Sequence, residues 1–199
     1  MAHRVVQTSK QSQPGNWNQT DNIMFRWLRP WYLAALLLLM ASPHQAVAAE
    51  QGLKLAFVYN FVKFTDWPAR SNPTASGRVD FCIIGGDSEF DDALESLAGR
   101  NVRGLPLRTR VVSRVSELPG CQVVFLPNST GRAPGEIARA AAASGVLSVG
   151  EGNDFLNAGG MISLVTTGNR IQFDVNQAAV QGAGLNLNAQ LLKLAHSVR

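Results

Sequence analysis

Histidine is almost missing from this chain. There are three, His3, His44 and His196, and only the last lies beyond residue 49. A Ser-His-Asp or Cys-His catalytic arrangement in the body of the chain would have to use it. A helix close to the C-terminus is a poor place for a base, and no nucleophile–base pair is apparent. A zinc site of histidine and cysteine is disfavoured on the same ground. His196 reads instead as a polar residue near a helix C-terminus, where it suits the dipole. The dinucleotide fingerprint G-x-G-x-x-G is also absent: Gly85 and Gly86 are adjacent, with no third glycine at that spacing. No apolar run reaches the roughly 20 residues that crossing a bilayer takes.

Positive charge is scarce too once the first 49 residues are set aside. The whole chain has 18 Lys+Arg and 14 Asp+Glu. Arg4, Lys10, Arg26 and Arg29 against Asp21 belong to the leader, which leaves 14 basic and 13 acidic residues, a net of +1. The basic balance is therefore poor evidence for nucleic-acid binding. The leader itself has a pattern. Met24-Phe25-Arg26-Trp27-Leu28-Arg29 is a basic start, residues 33–41 (LAALLLLMA) are apolar, and Ala46-Val47-Ala48 are small. That order reads as a secretory signal peptide within residues 1–49, the alternative being an uncleaved anchor. Residues 1–23 are polar and without pattern, so Met24 is the candidate start. The remaining residues, 50–199, make one domain.

What is present in that domain alternates between helix and strand. Residues 53–64 repeat apolar side chains three and four apart, with Leu53, Phe57, Phe61 and Phe64 along one helical face. Trp67-Pro68 ends this helix, because the residue before proline disfavours it. Residues 69–78 read as a loop. Residues 79–84, 102–112, 121–126 and 146–149 read as strands, and residues 88–98 and 133–143 as helices. In the first of those helices Phe90, Ala93, Leu94 and Leu97 face inward. Strands apolar on both faces between helices indicate a mostly parallel sheet covered on both sides. Residues 161–165 and 170–175 flank Thr166-Thr167-Gly168-Asn169 as an antiparallel hairpin. A closing helix spans residues 188–196, with Leu191, Leu192 and Ala195 inward. The expected fold is a three-layer α/β sandwich with a C-terminal antiparallel hairpin.

Three clusters invite chemistry. Asp87, Glu89, Asp91 and Asp92 follow the glycine pair. At a helix start they complement the dipole, with Asp87 or Ser88 as cap. A magnesium-binding cluster is the alternative, but it lacks a neighbouring lysine or P-loop. Arg100, Arg103, Arg108, Arg110 and Arg114 form a basic cluster, with Arg108 and Arg110 on one strand face. They read as a charged edge strand that resists aggregation, against an anion or membrane-surface patch. No aromatic residues interleave, which argues against single-stranded nucleic acid. Finally, Gly159-Gly160-Met161 reads as a turn. After it, Asn176 is placed to cap the turn that follows the hairpin, with Val180 on the same side. For Val180 ordinary packing stands against a protein-facing patch.

The two cysteines lie in an exported domain, which favours a disulfide over two separate buried thiols. Its loop of about 40 residues would be worth roughly 4 kcal/mol by chain entropy. If the third strand lies beside the first, Cys82 and Cys121 sit at neighbouring strands and can meet.

Several stretches resemble one known family. Residues 55–68 (LAFVYNFVKFTDWP), 82–107 (CIIGGDSEFDDALESLAGRNVRGLPL) and 121–126 (CQVVFL) carry the likeness. So do 146–165 (VLSVGEGNDFLNAGGMISLV) and 170–195 (RIQFDVNQAAVQGAGLNLNAQLLKLA). Each is weak alone; together, in order, they look like the YfiR-like family of periplasmic proteins. The resemblance implies a periplasmic α/β sandwich, often homodimeric, with no catalytic activity; from the residues themselves no cofactor or metal is expected. Characterised members are negative regulators. They bind the periplasmic sensory domain of an inner-membrane diguanylate cyclase and hold down cyclic di-GMP synthesis and biofilm formation. An outer-membrane lipoprotein can sequester them. Cys82 and Cys121 match a family disulfide. A second pair found in some members is absent, so redox control through it is not expected. Asp174, Val175, Asn176 and Val180 fall where the family's regulatory partner contacts would lie.

The leading expectation is thus a periplasmic repressor that binds one state of a cyclase's sensory domain better than another. The alternative is a small-ligand sensor module serving a histidine kinase or transporter, its ligand at the carboxyl ends of the strands near Gly85 and Gly86. An enzyme is a third and weaker reading.

Overall fold

The computed structural model describes residues 43–199 apart from 86–89 and 169. The part of the expected signal peptide up to residue 42, the candidate start at Met24, Gly86 of the glycine pair, the expected cap at Asp87 or Ser88, the carboxylates of Asp87 and Glu89, and the turn residue Asn169 lie outside the described residues.

The chain opens with helix α1, Pro43–Lys63, and then a two-residue strand β1, Thr65–Asp66. Short helix α2, Pro73–Ser76, precedes strand β2, Val79–Ile84. Helix α3, Asp91–Leu97, leads to β3, Asn101–Val102, and β4, Leu105–Val112. Strand β5, Val123–Leu126, helix α4, Pro134–Ser144, and strand β6, Leu147–Glu151, continue the alternation. Helix α5, Asn153–Asn157, then precedes the hairpin of β7, Ile162–Thr167, and β8, Arg170–Val175. The chain closes with α6, Gln177–Gly182, β9, Asn186–Leu187, α7, Ala189–Leu194, and β10, Ser197–Val198.

Eight strands form one sheet in the order β10-β8-β7-β6-β5-β2-β4-β3. The five central strands β4, β2, β5, β6 and β7 run parallel. The β7–β8 hairpin is antiparallel, as its sequence pattern predicts. A separate antiparallel pair joins β1 to β9. Strand side chains alternate between faces, and each face has its own core. Phe81, Ile83, Val123 and Phe125 pack with α1, α3, α6 and α7. Ile84, Val124 and Leu126 pack with Ile137 and Ala141 of α4 and Phe155 of α5. That is why these strands read as continuous apolar runs, and it makes the molecule a three-layer sandwich. Phe155 sets the close approach of α5: a Cβ at Gly150 or Gly160 would strike its ring.

The structure bonds Cys82 to Cys121, with Cα atoms 5.9 Å apart and both residues fully buried. Strand β5 does lie beside β2, with Cys82 opposite Val124. The disulfide thus ties β2 to the residues that enter β5.

Four details differ from the sequence expectation. Residues 69–78, expected as a loop, hold the short helix α2, because Asn72 caps it by accepting from the Thr74 N–H and Pro73 suits its first turn. In α1 the buried stripe is Leu55, Val58, Phe61 and Val62, whereas Leu53 is 48% exposed and Phe57 and Phe64 are only partly covered. Nearly every position there is apolar, so periodicity offered two overlapping stripes and the sheet selected one. The helix also stops before Trp67-Pro68. Thr65 Oγ1 donates to the Phe61 carbonyl at 2.7 Å, and Thr65–Asp66 then leaves to pair with β9. Lastly, the closing helix ends at Leu194, and the final residues form a strand.

Candidate functional site

The segment from Asp174 to Val180 sits at one edge of the sheet. Phe173 anchors it from below: its ring centroid is 4.8 Å from that of Phe61 and 6.4 Å from that of Phe57. Val175 points to the same face and is fully buried. Asp174, between them, points to the other face. Asn176 caps α6 as its sequence position predicts, its side chain accepting from the Ala179 N–H at 3.0 Å. Val180 then turns into the core and is 1% exposed. Val175 and Val180 therefore shape this corner from inside, while Asp174 and Asn176 are partly exposed at its surface.

The last strand lies along this edge. Ser197 and Val198 run parallel to β8, opposite Asp174 and Val175. The His196 N–H donates to the Phe173 carbonyl at 2.9 Å, Arg199 N–H to Val175 at 3.0 Å, and Gln177 N–H to the Arg199 carbonyl at 2.8 Å. His196 lies beyond the end of α7, so it serves a partner other than the helix dipole. Its Nδ1 is 2.9 Å from Asp174 Oδ1. Arg199 Nη1 donates to Asn157 Oδ1 at 3.2 Å. Two apolar side chains stand out to solvent beside these groups, Leu194 at 72% and Val198 at 43% exposure. Sequence reasoning passed over both. The signal available was an apolar residue left on the outer face of a helix whose inner face Leu191 and Leu192 already supply.

The carboxyl ends of the parallel strands form the second region of interest. Strands β4, β2, β5, β6 and β7 make a doubly wound order with its reversal between β2 and β5, where ligands of such folds usually sit. The cleft found at this end, about 200 Å³, lies one strand over, between the ends of β5 and β6, lined by Leu126, Pro127, Asn128, Arg132, Glu151 and Asp154 among others and not by Gly85. Lys54 reaches across from α1 to Glu151 at 3.3 Å. Gly85 does not cradle an anion with its own amide, because its N–H donates to the Val112 carbonyl at 3.1 Å. Its φ of +97° and a Cβ position that would strike the Thr130 methyl group explain the glycine structurally. A larger cleft, about 250 Å³, lies at the amino ends of the strands beside Trp67 and Arg103. There Arg103 is already engaged by Asp66 at 2.7 Å and the Lys63 carbonyl at 3.0 Å.

The arginine cluster is dispersed. Arg100 bonds the Ser96 carbonyl, Arg114 pairs with Glu117, and Arg108 pairs with Asp80. Arg108 and Arg110 do share a face of β4, which is second from the edge and is covered by the edge strand β3 only at Leu105 and Pro106. Among the described residues no group of three or more His, Cys, Asp or Glu side chains is placed to hold a metal. No helix among them is long and apolar enough to cross a membrane.

A family model described as YfiR/HmsC-like matches residues 51–196. Two solved structures show weaker likeness. One is a conserved domain protein from Vibrio cholerae O1 biovar El Tor, 12% identical, with TM-score 0.43, covering 60% of this chain and 54% of its own. The other is an ABC domain in complex with L-Trp from Streptococcus pneumoniae, 12% identical, with TM-score 0.46, covering 63% of this chain and 56% of its own. The chain spans little more than half the length of either.

Proposed function

The chain belongs to the YfiR/HmsC-like family, whose members are periplasmic and regulatory rather than catalytic, and from that premise we propose that it is the repressor of a membrane-bound diguanylate cyclase. In this reading the signal peptide exports the domain, which binds the cyclase's periplasmic sensory domain and keeps cyclic di-GMP synthesis low. Repression follows from preferential binding of the inactive sensory state, and its strength equals the difference in affinity between the two states. The observation that carries the reading is the family match over residues 51–196, nearly the whole of the proposed domain.

The β8–β10 edge supplies groups suited to the contact. Asp174, Asn176 and His196 offer hydrogen bonds, and Leu194 and Val198 offer exposed apolar area beside them. Val175 and Val180 act by holding that surface in shape. A homodimer, and sequestration by an outer-membrane lipoprotein, belong to the same proposal. The test is recovery of the tagged protein from solubilised membranes. A diguanylate cyclase with a periplasmic domain should come with it in the wild type and be depleted for Asp174→Ala.

The cleft between the ends of β5 and β6 favours a second reading, a sensor module that binds a small polar ligand and serves a kinase or transporter. Recovery of such a partner in place of a cyclase would support it.

A further inference from the structure

At the opposite edge of the sheet, β4 is the longest strand, and β3 covers only its first two residues, Leu105 and Pro106. Leu107 is also covered, its N–H donating to the Arg100 carbonyl and its carbonyl accepting from Gly99. Beyond it the outward backbone groups alternate. Val112 turns its carbonyl inward to Gly85, so Thr109 and Val111 turn theirs outward. Among the described residues no further strand pairs with β4 there. The Val111 side chain is 48% exposed.

Beside this open edge stand arginines held from behind. Asp80 is buried, and its two oxygens accept from Arg78 Nε and Arg108 Nε. Gln122 holds the Asp80 backbone in place, its Oε1 accepting from the Asp80 N–H at 2.7 Å. One carboxylate thus fixes two guanidinium groups, and the Nη donors of both find no partner among the described residues. Arg110 lies over Gly120, its Nη1 3.0 Å from where a Cβ would be. It makes no ion pair or hydrogen bond among the described residues. The cluster carries three positive charges against one negative. Arg108 is pinned, so it has already lost rotamer freedom, which lowers the cost of binding an anion.

We propose that this edge is a docking site for an extended acidic segment of a partner protein, added to the sheet as a further strand. The Thr109 and Val111 backbone groups pair with the incoming strand. Arg108 and Arg110 sit two apart on one face, so the residues opposite them are also two apart on that face. The segment therefore reads acid–x–acid, and its middle residue is β-branched or apolar to meet Thr109 and Val111. The proposal does not depend on the cyclase reading, since Asp174 lies at the other edge.

The probe is a fluorescent peptide of alternating glutamate and valine, titrated with the folded, disulfide-bonded protein in low salt. Binding should weaken roughly tenfold for Arg110→Glu, as expected for loss of a charge pair. It should also be lost for Val111→Pro, which removes an outward N–H and keeps the pairing with β2. A peptide N-methylated on alternate amides should fail to bind the wild type, and that result stands even if the proline variant misfolds. The proposal is overturned if the glutamate–valine peptide does not bind. It is also overturned if binding is indifferent to Arg110→Glu, or if the N-methylated peptide binds as well as its parent.

Discussion

Asp174 Oδ1 meets His196 Nδ1 at 2.9 Å across the join between β8 and the last strand. The pair fastens a strand of only two residues to a sheet edge. Three backbone hydrogen bonds hold the same strand, from His196, Arg199 and Gln177. The C-terminus is thus part of the surface proposed to meet the partner, and Asp174 connects the two.

Asp174→Ala should loosen the C-terminus without unfolding the domain. Because His196 is largely exposed, the loss in stability should stay below about 1 kcal/mol. Amide hydrogen exchange at residues 196–199 should rise, and repression should weaken. By contrast, Val180→Ala removes core contacts and should cost about 2 kcal/mol. Any functional loss it causes should follow the loss of folded protein. Chemical denaturation measured beside repression separates the two effects.

The Cys82–Cys121 bond closes a loop with a sequence separation of 39. Replacing both residues with alanine should lower stability by about 4 kcal/mol through the denatured chain's entropy. In the exported wild-type protein a thiol reagent should label neither cysteine until the protein is unfolded and reduced. Labelling of two thiols in the native protein would contradict the bond.

Gly85→Ala places a side chain at φ +97° and against the Thr130 methyl group. The backbone strain alone should cost about 1–3 kcal/mol. Adding Thr130→Ala should restore only the steric part. A midpoint shift that the second substitution fully reverses would show that the backbone there is relaxed.

Much of this was legible in the sequence because the strands themselves carry the signal. Residues 79–84 are apolar at every position but Asp80, as a strand buried on both faces needs, and the structure buries all six. The cysteines were placed once β5 was set beside β2. The register of α1 was not legible: Leu53 and Leu55 are equally apolar, and only the groove they meet tells them apart. Strand β10 was hidden for another reason. Two residues have no periodicity, and Ser197 and Val198 become a strand only because β8 presents an edge to them. At the candidate site, Asn176 was found from its capping chemistry. Val180 shared its side in sequence spacing, yet the turn of α6 carries it inward.

The central claim is best tested by measuring cyclic di-GMP in cells that lack this chain, then in cells given back either the full-length chain or one without residues 1–49. The account predicts a rise of several-fold on loss, reversed only by the form that carries the leader. An unchanged level on loss, or equal rescue by the leaderless form, would contradict it.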